Sequence, residues 1–141
     1  YVDQDGEKKH PYIIHCGVFG CYERMMALIL EKYAGALPLW ISPTQVKIMS
    51  LTDRTSDDAK KLALRLREQG IRCEVDVRNE KIGYKIREAQ LEKVPYMIIL
   101  GDKEKENEVV AVRSRNAGDL GTMTEKEFVD KLTKEITEKV C

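Results

Sequence analysis

This sequence has no long apolar run, no excess charge of either sign, no cysteine framework and no glycine-rich phosphate loop. Each lack closes off a class of function. The longest apolar stretch, Val94 to Leu100, is about a third of the ~20 residues that a spanning helix needs, so no membrane segment is expected. Lys+Arg 24 and Asp+Glu 24 cancel to a formal net charge of 0. That argues against a histone-like nucleic-acid coat and leaves room for a local RNA-reading surface. The 4 cysteines, Cys16, Cys21, Cys73 and Cys141, are scattered without Cys-x-x-Cys spacing. They are too few for a disulfide scaffold and suit a reducing, cytoplasmic setting. No basic-then-apolar leader pattern opens the chain, and there is no internal repeat or low-complexity tract. The first residue is Tyr1, not Met, so a piece of a longer protein is expected.

What is present describes a folded chain. Of 141 residues, 43% are hydrophobic and 34% charged, enough to bury a core, in one domain or one domain plus part of another. Asp5-Gly6 signals a turn and Tyr12-Ile13-Ile14 a short strand, which predicts a hairpin over residues 1–14. A helix follows from Glu23 to Tyr33. Met25, Leu28 and Ile29 share one face, and Met26, Ala27 and Leu30 make it apolar nearly all round. Such a helix needs cover on several sides, which this chain has little means to supply. Residues 34–45, with Pro38 and Pro43, form a junction.

Beyond the junction the pattern is regular. Val46–Leu51 is a strand. Thr55 or Ser56 caps a helix with Asp57 and Asp58 in its first turn; Ala59, Leu62, Ala63 and Leu66 line one face, and Gly70 ends it. Ile71, Cys73, Val75 and Val77 alternate with polar residues as a half-buried strand. Residues 82–92 form a helix with Ile82, Ile86 and Ala89 inward. Tyr96–Leu100, continuously apolar, is a central strand, followed by a Gly101-Asp102 turn and a strand over Val109–Arg113. Thr124 and Glu127 make a capping box for a last helix lined by Phe128, Leu132 and Ile136. The order β-α-β-α-β-β-α implies an α/β fold with a mixed, mainly parallel sheet and three helices, the fourth strand antiparallel.

In open α/β sheets, sites lie beyond strand C-termini. Those ends carry Thr52-Asp53, Arg78-Asn79-Glu80, Gly101-Asp102-Lys103-Glu104 and Arg113-Ser114-Arg115. An amide donates and accepts, Glu104 accepts, and Arg113 offers a planar fork, a set able to read the edges of unstacked bases. Lys81, Lys85 and Arg87 are suited to phosphates. Pattern alone leaves open a solvated rim of charged loop residues.

Three stretches carry a resemblance: Arg78-Asn79-Glu80-Lys81-Ile82-Gly83-Tyr84-Lys85-Ile86-Arg87-Glu88, Val94 through Glu104, and Val110-Ala111-Val112-Arg113-Ser114-Arg115. Together they closely resemble the anticodon-binding domain of the threonyl-tRNA synthetase family. Upstream, Ala34 through Pro43 resembles the family's junction between catalytic and anticodon domains, and His15 through Arg24 resembles motif 3 of a class II synthetase. The resemblance implies that residues 1–40 are the C-terminal remnant of a class II catalytic domain. It implies that residues 41–141 are a three-layer anticodon-binding domain. The parent would be a threonine–tRNA ligase, an aminoacyl-tRNA ligase that uses ATP, carries zinc and forms a homodimer through its catalytic domain. The partner would be threonine tRNA through its anticodon stem-loop. By resemblance Asn79, Glu104 and Arg113 contact the second and third anticodon bases, and Lys81 and Arg87 lie near the stem-loop. Arg24 matches the motif 3 arginine that holds ATP phosphates. His15 matches the third zinc ligand, whose companions come from earlier sequence. Zinc in that family grips the threonine amine and hydroxyl and so excludes valine. Cys16 and Cys21 depart from the family's usual Arg and Ser. The piece alone is expected to lack aminoacylation activity and to need no cofactor. The alternative is a non-catalytic RNA-binding or regulatory adaptor on the same domain. Prolyl-, histidyl- and glycyl-tRNA synthetases, which share the fold, are disfavoured by His15 and by Asn79 through Lys85.

Overall fold

A computed structural model describes residues 1–18 and 20–141. The sheet has five strands: β1 (Val46–Ser50), β2 (Cys73–Asp76), β3 (Tyr96–Leu100), β4 (Val109–Ser114) and β5 (Gly118–Thr124), in the order β2-β1-β3-β4-β5. β1 pairs parallel with β2 and β3, while β4 pairs antiparallel with β3 and β5. The helices are α1 (Tyr22–Lys32), α2 (Ser56–Glu68), α3 (Ile82–Leu91), α4 (Asp102–Glu106) and α5 (Glu125–Thr137).

Strand alternation divides the core into two layers. Val46, Ile48, Tyr96, Ile98, Val110 and Val112 point to one face, where Leu62 and Leu66 of α2 and Phe128 and Leu132 of α5 cover them. The Tyr96 and Phe128 rings meet edge to face with centroids 5.9 Å apart, a geometry that suits their quadrupoles. Met49 and Met97 point to the other face and meet Ala89, Ile82 and Ile86 of α3. The central place expected for Tyr96–Leu100 follows from this double cover. Gly70, at φ +80°, ends α2. The Ile71 N–H reaches the Leu66 carbonyl at 3.0 Å and the Gly70 N–H reaches that of Arg67 at 2.9 Å, a glycine stop that spares the last carbonyls from going unpaired. Thr124 caps α5 as its spacing predicts: its hydroxyl accepts from the Glu127 N–H at 3.3 Å while the Glu127 carboxylate accepts from the Thr124 N–H at 2.9 Å.

Several expectations fail for physical reasons. Residues 12–14 form no strand, and Tyr12 and Ile14 are fully exposed. The hairpin closes earlier, where Val2 bridges Lys8 and the Lys9 N–H donates to the Tyr1 carbonyl at 2.9 Å. The turn after β3 is a short helix, α4, because Glu104 folds back to accept from the Gly101 N–H at 3.0 Å. The sequence pattern contains no sign of β5. Its Gly118 and Gly121 sit at positive φ, and a bulge interrupts its pairing between Val112 and Arg113; both features belong to edge strands and hide the alternation. Helix α1 has no buried residue, with Met26, Leu28 and Leu30 exposed.

Candidate nucleic-acid interface

The chain turns from β2 into α3 through residues 77–81, and that loop is held from beneath. Asp76, the last residue of β2, is 5% exposed. Its carboxylate accepts from the Arg78 backbone N–H at 3.1 Å, from Nε at 3.0 Å and from Nη2 at 2.6 Å. The same guanidinium also holds Glu88 of α3. The Arg78 fork keeps the Asp76 carboxyl below the ordinary carboxylate range although burial opposes it, and keeps Glu88 low as well. The two carboxylates in turn raise the Arg78 guanidinium further above its already high value.

Lys85 departs from the expectation of a phosphate-facing residue, for it is 1% exposed. Its ammonium donates to the Ser50 carbonyl at 3.0 Å and the Asp76 carbonyl at 3.3 Å, and lies 3.9 Å from the Asp76 carboxylate. Three residues past Ile82 and four before Ala89, it shares their inward face. That spacing is the available signal, overridden by the residue type. Alternation likewise puts Asp76 on the outer face of a half-buried strand. β2 is covered from the α3 side too, so its alternation does not separate core from solvent there.

Asn79 and Lys81 are exposed in this held loop, and Arg87 is exposed one turn into α3. Among the described residues none of the three has a hydrogen-bonding or charged side-chain partner. Glu88 turns toward β2, while Gly83, Arg87 and Gln90 lie on the exposed side of α3. Glu104 lies beyond the C-terminal end of β3, half-buried, its carboxylate on the Gly101 N–H.

The fourth cluster lies elsewhere. β4 is antiparallel, and Arg113 pairs with Met97, Ser114 with Tyr96. Arg113-Ser114-Arg115 therefore stands at the N-terminal end of β3, three residues or ~10 Å of strand back from Leu100. Residues in register share a face, so Arg113, like Met97, points to the α3 side. Its guanidinium makes only a loose pair with Asp119 at 3.7 Å. Between Arg113 and Glu104 on this side lie Ile99, Ala111 and Thr122, of which Thr122 is exposed. Arg115 ties the junction to the sheet, donating to the Lys93 carbonyl at 2.7 Å and the Leu37 carbonyl at 3.1 Å. Partial burial lowers its pKa.

His15 and Arg24 are exposed, His15 outside regular structure and Arg24 on α1. Among the described residues no three potential ligands gather as a metal site. His15 has no companion ligands gathered around it among the described residues.

A family profile described as anticodon binding domain matches residues 45–135. Threonine–tRNA ligase from Clostridium tetani (strain Massachusetts / E88) is 58% identical over 140 residues, covering 99% of this chain and 22% of that protein. The enzyme of the same name from Clostridium botulinum (strain Hall / ATCC 3502 / NCTC 13319 / Type A) is 54% identical over 139 residues. The chain thus spans 22% of the length of the curated relatives it matches. A crystal structure of the RNA binding domain of threonyl-tRNA synthetase from Cryptosporidium parvum Iowa II superposes with a TM-score of 0.76 at 32% identity, over 80% of this chain and 28% of that one. The profile match spans most of the chain and includes the whole sheet, so the protein belongs to the anticodon-binding domain family.

Proposed function

We propose that this chain is the anticodon-reading part of a threonine–tRNA ligase, an enzyme that uses ATP to join threonine to its tRNA. One observation carries the reading: a loop held by buried charges presents Asn79 and Lys81 to solvent beside Arg87, in a chain of the anticodon-binding family. Asn79, Glu104 and Arg113 read base edges of the anticodon through hydrogen bonds, while Lys81 and Arg87 meet phosphates. The partner is threonine tRNA, engaged at its anticodon stem-loop. Arg24 holds ATP phosphates, and His15 contributes to a zinc site, each only together with the remainder of the parent enzyme. Zinc, when bound, supplies a Lewis acid that selects an amino acid bearing a hydroxyl group. The parent works as a homodimer in the cytoplasm. Residues 1–40 belong to its catalytic domain and residues 41–141 to its anticodon domain.

Titration with anticodon hairpins tests the reading. Threonine-type loops are compared with loops changed at the second and third anticodon positions, at two salt concentrations. A preference of about tenfold or more is expected, from the ~1–3 kcal/mol that a good base contact contributes. Equal binding of all loops would refute it. The chain alone should give no threonine-dependent pyrophosphate exchange, since it carries too little of the catalytic domain.

A further inference from the structure

The buried Lys85 is unusual in its surroundings. An ammonium with 2% side-chain exposure sits where β1 and β2 end, donating to the carbonyls of Ser50 and Asp76. Removing so small and strongly hydrated a cation from water is costly. A methionine of similar length would fill the space without that cost. What the ammonium does that methionine cannot is join three separate pieces of chain: the end of β1, the end of β2 and the first turn of α3. Asp76 adds a counter-charge from below, and Arg78 clamps Asp76 to Glu88 from above. The start of the 77–81 loop is therefore pinned by Arg78, and the helix it leads into is tied back to β2 through Lys85 and Glu88, with Asn79 at the middle of the loop.

We propose that Lys85 is a positioning residue for base reading: acting through Asp76 and Arg78, it holds the β2–α3 loop in the one conformation that aims the Asn79 amide. This inference rests on the anticodon reading above and adds the device that gives it specificity. Lys85 touches no RNA itself, being buried. Its contribution must then appear in base choice more than in phosphate attraction, because an amide has to be aimed to read a base edge, whereas Lys81 at the loop's end and Arg87 on α3 need only bring charge near a phosphate.

The test compares Lys85→Met with the unaltered 141-residue chain, using the matched hairpin and one changed at the base that Asn79 reads. In the unaltered chain the two must differ, which tests the anticodon reading by itself; if they do not, that reading fails and Lys85 has nothing to position. Given a difference, the expected result for Lys85→Met is a roughly tenfold weaker matched complex and a mismatched complex weakened by less than about twofold. The slope of affinity against salt should be unchanged. A purely structural strut predicts otherwise: lost folded protein weakens both hairpins by the same factor. Parallel weakening, or no change, overturns the proposal while leaving the anticodon reading intact. Should Lys85→Met fail to fold, Arg78→Lys probes the same loop from its exposed side. It keeps the charge and removes the fork, and the same unequal loss is expected; equal loss again overturns the proposal.

Discussion

Replacing Asp76 by Asn isolates the charge pair beneath the loop. The change keeps the size of the side chain and one acceptor oxygen for Arg78, whose own side chain is 50% exposed. Water therefore meets most of what Arg78 loses, and that part is small, under about 1 kcal/mol. Lys85 suffers more. At 2% exposure and 3.9 Å from the carboxylate, it would keep two carbonyls but lose its one counter-charge. Breaking a buried pair from one side costs about 3–5 kcal/mol, and the surviving carbonyls place the expectation near the lower end, about 3 kcal/mol. With a urea m-value of about 2 kcal/mol/M, the midpoint should fall by about 1.5 M at unchanged m. The pH dependence supplies a second reading. The Asp76 carboxyl titrates lower when folded than when unfolded. Its stabilisation is thus complete above the unfolded value of about 3.9 and is lost as pH falls through the folded value. The two proteins should differ by a constant amount at neutral pH and converge in acid. Glu88, also held low by Arg78, is common to both and cancels. A loss below about 1 kcal/mol, or a difference that persists in acid, would refute this reasoning and leave the Ser50 and Asp76 carbonyls as sufficient company for the ammonium.

Arg113→Ala should weaken hairpin binding and relax base choice by roughly 1–3 kcal/mol, read as converging affinities for matched and mismatched loops; its weak 3.7 Å contact with Asp119 means little stability is lost. Lys81→Ala should weaken all hairpins alike and reduce the salt slope by about one; a change in base preference would contradict its role. Thr124→Ala removes the hydroxyl half of the α5 capping box and leaves the backbone N–H of residue 124 donating to Glu127; it should cost about 1 kcal/mol in urea or thermal unfolding without altering RNA binding.

The elements legible in the sequence are those whose periodicity matches their burial. β3 reads as a central strand because helices cover both its faces, and α2 and α5 read cleanly because each has one buried stripe ended by a glycine or begun by a capping box. Where burial and residue type disagree, the pattern misleads. Lys85 occupies a core position with a surface residue, and Asp76 a covered strand end with a charge; each is tolerable only because the other is present, a pairing that no single position announces. β5 is a bulged edge strand with two glycines at positive φ, features that erase alternation. Of the site residues, Asn79 and Lys81 are neighbours by sequence and so are found together. Arg113 is set apart from them by the direction of β4, which depends on pairing.

That direction decides how an RNA loop must lie. If base reading were confined to the rim beyond β2 and β3, Arg113 would be out of reach, ~10 Å back along the sheet. A loop that meets Asn79, Glu104 and Arg113 together has to cross the face between them, over Ile99, Ala111 and Thr122. Ala111→Glu tests this. The position pairs with Ile99 on one side and Thr122 on the other and is half-buried, so a longer side chain can extend into solvent past the exposed Thr122, with a small effect on stability. A carboxylate placed there would repel phosphates and obstruct stacked bases. All hairpins should bind at least about tenfold more weakly, with the loss greatest at low salt. Unchanged binding would confine the interface to the rim and remove Arg113 from it.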